Sequence, residues 1–381
     1  MSAREEREAG ESPGVEAAAL TDRVARVREL ERFAISHLPS LQRGDGVFCH
    51  QVVAGERPEG RSLRYTLIVL LGLLRAEEHG LEHGFHLGAL RSRVLSELSS
   101  ADLTAGDLGL ALWAESRADG DAVQELVGAL GRRLREGGLE TVMSMEVAWV
   151  VIGLTEAGAR GELGAGEGIL AEARAQLVES RRPQGGFVTH VGRGRRRRLP
   201  HFADQIYTVL ALSQLARIRD DGAARDAARA IGDLLLDNQM PNGAWPWIYD
   251  ALRGTVVEPY ELYSVHQDSM AMIGMHGLAE ATGEPRYREV AVRSLDWNYG
   301  ANELGVQMFD PEAGMIYRSI RRQQRFHRAA QARNAAAAYF RAAPRLAAPE
   351  ELELNRSMRP YHLGWLLEAW AGREELARLP V

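Results

Sequence analysis

Stretches of helical periodicity recur along this 381-residue chain, and they alternate in kind. An amphipathic stretch with one apolar stripe is followed each time by one that is apolar around most of its circumference. The pairs are 20–38/63–78, 86–99/105–116, 121–136/141–157, 167–181/202–218, 222–238/264–282 and 285–299/361–371. Leu20, Val24, Val27, Leu30 and Phe33 show the first kind, at i, i+3/i+4 spacing. Met143, Met145, Val147, Trp149, Val150, Ile152 and Leu154 show the second. A helix with a single stripe sits outside, and one apolar all round must be buried. Six such pairs predict an all-α fold, an (α/α)6 toroid in which an outer ring of helices encloses an inner one. Closure buries both ends of the repeat, which an open solenoid must cap. No window sustains the period-2 alternation of a strand. The spacing is also too irregular for a helical array of about 34 residues per repeat. The reading is one domain over 20–381, preceded by a disordered tail over 1–19.

Charge and cysteine content narrow the function classes. The net charge of −6 offers no global basic field for nucleic acid. The single cysteine, Cys49, excludes an intrachain disulfide and any zinc site needing two thiolates. No metal or cofactor is called for. The longest apolar run, Thr66 to Leu74, is far short of the ~20 residues of a membrane span. The charged N-terminus lacks a signal peptide's apolar core. A cytoplasmic protein is the expectation.

Residues 239–268 carry the densest chemistry. A Gln239-Met-Pro-Asn-Gly243-Ala-Trp245 turn leads through Trp247, Tyr249, Asp250, Glu258 and Tyr260 to Tyr263-Ser264-Val265-His266-Gln267-Asp268. Gln42…Gly46…Phe48 has the same spacing, Gln184-Gly-Gly-Phe187 is a contracted form, and Gln307…Tyr317 a stretched one. Gln-x-x-x-Gly-x-aromatic between an outer and an inner helix resembles the QW repeat of squalene–hopene cyclases and protein prenyltransferases. Its role is structural: Gln caps, Gly permits the turn and the aromatic plugs the gap between hairpins. The Asp-x-Asp-Asp acid of the cyclases is missing. The Cys, His and Asp zinc ligands of the prenyltransferases have no match beyond Cys49-His50. The toroid is also that of six-hairpin carbohydrate enzymes, namely uronyl hydrolases, polysaccharide lyases and sugar epimerases. The Trp247-Ile-Tyr249-Asp250 and Tyr263–Asp268 stretches resemble that group more.

In such a ring the inner helices run the same way, so their N-termini meet at one mouth. The residues before or inside each first turn are then Arg61, Ser62, Arg64 and Tyr65; Asp102 and Asp107; Glu140, Ser144 and Glu146; His201, Asp204, Gln205 and Tyr207; Tyr263 to Asp268; and Tyr361 and His362. Convergence of polar groups from separate helices is how a bundle builds a site. Asp102, Asp107 and Ser264 read as helix caps. The candidate acid–base groups are His266, Asp268, His201, Asp204 and the loop carboxylate Glu258. Candidate substrate contacts are Trp247, Tyr249, Asp250, Tyr263, Gln267, Gln205, Tyr207, Arg64, Tyr65 and His362. The basic run Arg193 to Arg198 lies on the mouth side by topology and suits an anionic ligand. The Ala/Arg-rich stretch 325–345 reads as an exposed helix.

Three functions fit, in this order. One is a carbohydrate-active enzyme doing acid–base chemistry on an anionic sugar or glycan, as an epimerase, lyase or glycoside hydrolase. The second is a terpenoid cyclase-like or prenyl-diphosphate-binding toroid. The third is a toroid that binds a ligand without catalysis.

Overall fold

The computed structural model describes residues 13–98, 103–180, 188–189, 198–325, 330, 333–334 and 344–378, with side chains from residue 23 onward. Among the described residues, twelve helices form the frame: α1 (Pro13–Leu41), α2 (Leu63–Glu78), α3 (Leu87–Leu98), α4 (Ala105–Arg117), α5 (Val123–Gly137), α6 (Ser144–Ala159), α7 (Gly166–Glu179), α8 (Phe202–Arg219), α9 (Gly222–Asp237), α10 (Ala271–Thr282), α11 (Arg286–Asn298) and α12 (Pro360–Trp370). The even-numbered helices contact one another in a closed circuit, α2–α4–α6–α8–α10–α12–α2, and each odd-numbered helix packs outside. This is the (α/α)6 toroid that the alternation of stripes predicts.

Glycines set how closely the inner helices approach. A Cβ on Gly72 of α2 would lie 2.2 Å from the Gly364 carbonyl oxygen of α12, and one on Gly153 of α6 would lie 2.4 Å from that of Gly109 in α4. A Cβ on Gly274 of α10 would meet the Ile206 side chain of α8 at 2.5 Å. At these three seams backbone packs on backbone, or a branched side chain on bare backbone, and any larger residue pries the ring apart.

Both well-matched turns repeat one geometry. Gln42 donates from Nε2 to the Gly46 carbonyl at 3.0 Å, and Gln239 to the Gly243 carbonyl at 2.8 Å. Gly46 and Gly243 each have φ +83, a left-handed conformation that glycine adopts without penalty. Phe48 and Trp245 are fully buried behind them. The next inner helix clamps each aromatic's backbone: Phe48 N–H donates to Thr66 Oγ1 at 3.0 Å, and Trp245 N–H to Gln267 Oε1 at 2.9 Å. The Gln184–Phe187 turn lies outside the described residues.

Some expectations need correction. Helix α1 begins at Pro13, so 13–19 belong to a helix rather than to a tail. Short strands are present: β1 (Val52–Val53), β2 (Ile248–Asp250), β3 (Thr255–Glu258), β4 (Leu262–Tyr263), β5 (Phe309–Asp310), β6 (Met315–Ile316), β7 (Ser319–Arg322), β8 (Leu352–Asn355) and β9 (Ser357–Met358). They pair as β1–β9, β2–β3, β4–β7–β8 and β5–β6, with Leu262 opposite Ile320 and Tyr263 opposite Ser319. At two to four residues each, they are too short for period 2 to register. Within 325–345, Ala330 and Asn334 are buried rather than exposed; most of that stretch lies outside the described residues. Among the described residues no helix is long and apolar enough to cross a membrane.

Candidate active site

The long connections between outer and inner helices all lie at the end where the inner N-termini converge. There a cavity of about 240 Å³ opens into the ring. Six of the residues singled out from the sequence line it: Arg64 and Tyr65 on α2, Tyr207 on α8, Trp247 and Tyr263 on the connection before α10, and His266. Tyr361, placed at the mouth from the sequence though given no role, lines it as well; Trp149, Arg318 and Trp365 do too and went unassigned. Tyr361 and Trp365 stand four apart on α12, as do Met145 and Trp149 on α6, a spacing that marks one helical face.

Aromatic rings build the walls. His201 stacks on Trp247 with centroids 4.3 Å apart and planes 10° apart, and His266 lies against Trp247 with centroids 5.6 Å apart. Tyr263 meets the same indole edge-on at 4.9 Å, and Tyr65 leans on Tyr361 at 4.7 Å. Trp149 packs edge-on against Tyr207 at 5.2 Å. Flat faces of this kind suit the apolar face of a sugar ring.

His266 opens a single π-helical turn, His266–Met270, that leads into α10. The wider turn separates two groups only two residues apart. His266 faces the cavity, and its Nδ1 is buried without a hydrogen-bond partner among the described residues. Burial, followed by the nearby Arg318, His201 and His362, holds its pKa well below the ordinary histidine value. The imidazole is therefore neutral. Asp268 points the other way and is fully buried. Both its carboxylate oxygens lie 2.8 Å from His362 Nε2, and Asn298 Nδ2 donates to Oδ2 at 2.6 Å. His362 is buried, with no hydrogen bond at Nδ1 among the described residues.

The other candidates hold the scaffold. Asp204 accepts the His201 backbone N–H at 2.9 Å and so caps α8. Gln205 clamps Val188, accepting its N–H and donating to its carbonyl, both at 2.9 Å. Gln267 accepts the Trp245 N–H at 2.9 Å and donates from Nε2 to the Tyr263 carbonyl at 3.1 Å. Asp250 is held by Arg198 through two bonds of 3.0 and 2.8 Å, and it caps the turn at Leu252. Arg198 is the described end of the basic run; Arg193 to Arg197 lie outside the described residues, as does Asp102. Glu258 is buried against Arg322 at 3.3 Å and Asn334 at 3.0 Å. Tyr249 is fully buried in β2. Arg64 lines the cavity, yet its charge is neutralised by Asp107 and Glu146, each at 2.6 Å.

No family model matches the chain, and no curated protein matches it by sequence. Solved structures do match. Cellobiose 2-epimerase from Bacillus thermoamylovorans B4167 superposes with a TM-score of 0.62 at 12% identity, covering 92% of this chain and 99% of that one. A glycosidase in complex with glucose gives 0.54 at 14%, covering 94% and 98%. Unsaturated glucuronyl hydrolase from Bacillus sp. GL1 gives 0.56 at 14%, covering 92% and 95%. At such identities the likeness is one of fold, and the chain has the (α/α)6 toroid of these carbohydrate-active enzymes.

Proposed function

We propose that this protein is a carbohydrate-active enzyme that moves a proton at the carbon beside a carbonyl or carboxylate of a sugar, as an epimerase or lyase does. One observation carries the reading. Four buried polar atoms on residues lining one cavity have no hydrogen-bond partner among the described residues: His266 Nδ1, Trp149 Nε1, Trp365 Nε1 and Arg318 Nη1. A native interior leaves few such atoms, and their grouping on the lining of one cavity supports a ligand site there.

The lining also selects among sugar chemistries. Glycoside hydrolysis takes two carboxylates flanking the scissile bond. No Asp or Glu is among the described lining residues, and those nearby are committed as caps or ion pairs. Histidines remain. In the tautomer protonated at Nε2, His266 offers the Nδ1 lone pair to a carbon-bound proton. The bonding electrons move onto the neighbouring carbonyl or carboxylate oxygen, where Arg318 and Trp149 donate hydrogen bonds. His362, held at Nε2 by Asp268, is not among the described lining residues; we assign its Nδ1 the second proton transfer, with Asp268 positioning a histidine in the manner of a triad carboxylate. An epimerase returns the proton to the opposite face; a lyase instead expels the group one carbon further on.

At about 240 Å³ the cavity lies below the usual range of about 300–1,000 Å³ for ligand pockets, so a single sugar ring fits better than an isoprenoid chain. The two Gln-x-x-x-Gly-x-aromatic turns support the fold and carry no chemistry for the cyclase-like reading. A thermal-shift panel of reducing hexoses, hexuronates, sugar phosphates and isoprenyl diphosphates tests the assignment. A ligand at 100 times its Kd adds about 2.7 kcal/mol of stability. A shift with sugars that disappears in His266→Ala is expected. A shift with diphosphates alone would overturn the reading.

A further inference from the structure

Arginines near the mouth are mostly neutralised. Arg64 has Asp107 and Glu146, Arg198 has Asp250, Arg322 has Glu258 and Glu351, and Arg321 has Glu353. Arg318 is different. It lines the cavity, its guanidinium lies 5.0 Å over the Tyr263 ring, and its Nη1 is buried without a partner. Its backbone is gripped from both sides: Ser264 N–H donates to its carbonyl at 2.9 Å, and its own N–H donates to the Asn355 carbonyl at 3.0 Å. The side chain therefore stands on a fixed base, with an aromatic face beneath it.

Arg359, the residue before α12, reinforces the charge. It donates from Nη1 to the His50 carbonyl at 3.1 Å and leaves Nε buried without a partner. Burial, then the field of Arg318, pulls its pKa down, so the two guanidinium groups feel each other. The carboxylate in their field is Glu261. Its oxygens accept Tyr263 Oη at 3.1 Å, the Ser319 hydroxyl, and Asn355 Nδ2 at 3.3 Å. Buried charge is tolerated when it is paired, and two neighbouring cations with open N–H groups ask for an anion.

We propose that Arg318, backed by Arg359, is the recess for an oxyanion carried by the substrate, a carboxylate or a phosphate on the sugar. The planar guanidinium fork binds both groups in the same way. This assignment rests on the sugar reading above for the rest of the ligand. It also moves the anion contact away from Arg64, whose donors are spent on its own carboxylates.

Titration calorimetry of a hexose, the matching hexuronate and the hexose 6-phosphate tests it. The proteins are wild type, Arg318→Gln, Arg318→Lys and, as a control on the neighbouring strand, Arg321→Gln. Circular dichroism confirms that each is folded. Wild type is expected to bind one charged sugar about tenfold or more tighter than the neutral one. Whether the hexuronate or the phosphate gains identifies the source of the oxyanion. Arg318→Gln removes that preference: the charged sugar loses about tenfold or more, while the neutral sugar, which meets Arg318 only through a carbonyl oxygen, loses much less; Arg318→Lys restores part of the preference, and Arg321→Gln behaves as wild type. Equal affinity for charged and neutral sugars in wild type, or a preference that survives Arg318→Gln, overturns the proposal. Inorganic phosphate and acetate separate the two readings. If they bind in an Arg318-dependent manner while no sugar binds, the recess stands and the sugar reading falls. If neither they nor any sugar binds, both fall.

Discussion

The two ends of the ring are built to different rules. At the mouth, connections such as 179–202 and 298–360 are long, and the cavity of about 240 Å³ is walled by aromatic rings with unmade hydrogen bonds. At the far end the turns are short, 219–222 and 282–286, yet the cavity is larger, about 790 Å³, and lined with charge. Those charges are satisfied. Glu368 takes Arg117 through both oxygens, one at 2.9 Å, and Arg217 pairs with Glu280 at 2.7 Å. Arg75 donates to the Ala371 carbonyl at 3.2 Å, and Arg373 to that of Glu368 at 3.1 Å. Inner helices end here, so arginines complement the negative ends of their dipoles and cap their last carbonyls. Volume alone would point to the wrong end. Buried polar atoms without a partner, among the described residues, number four on the mouth lining (His266, Trp149, Trp365, Arg318) against two on the far one (Trp113 Nε1 and Ser116 Oγ), and the mouth set includes a histidine and an arginine.

The sharpest way to break this contrast is to unpair the far end. Glu368→Ala strands the buried Arg117 and is expected to cost about 3–5 kcal/mol of stability, with ligand binding at the mouth retained below the lowered melting point. Loss of binding without loss of stability would make the far end functional. A second substitution tests the group behind the mouth. Asp268→Asn is expected to lower turnover by about 10²-fold or more with KM little changed, and stability by about 1.5–3 kcal/mol. A stability loss alone would make Asp268 a strut. The smallest effect concerns Glu31 on α1, a buried carboxyl near the far end. Its Oε1 is buried without a partner, and burial, then Glu374, raises its pKa from 4.5 to about 8. The folded state holds a proton that the unfolded state has lost. This contribution is therefore present below about 4.5 and fades as pH rises to about 8. Glu31→Gln is expected to flatten the stability–pH curve across that window by on the order of 1 kcal/mol, read from urea melts.

The helical frame was legible because burial dictates it. The boundaries read for α2, 63–78, are those observed, and most others fall within two residues. The glycine seams were not, since nothing near Gly72 says that Gly364 will lie against it. At the site, His266, Trp247 and Tyr263 stood out as a dense local cluster. Asp204 was a misleading candidate with a readable signal, because His201-x-x-Asp204 has the spacing of a capping box. Arg318 had no such signal. It reaches the cavity only because β7 pairs with β4, which is a long-range fact.

The central claim is proton transfer at the mouth, and exchange with solvent measures it directly. Wild type and His266→Ala are incubated with hexoses and hexuronates in deuterium oxide, and NMR follows the proton on the carbon beside the carbonyl or carboxylate. The account predicts deuterium uptake by at least one sugar with wild type, falling by about 10²–10⁴-fold in His266→Ala while the fold persists. Cleavage of a glycosidic bond with no uptake, or uptake untouched by the substitution, would contradict it.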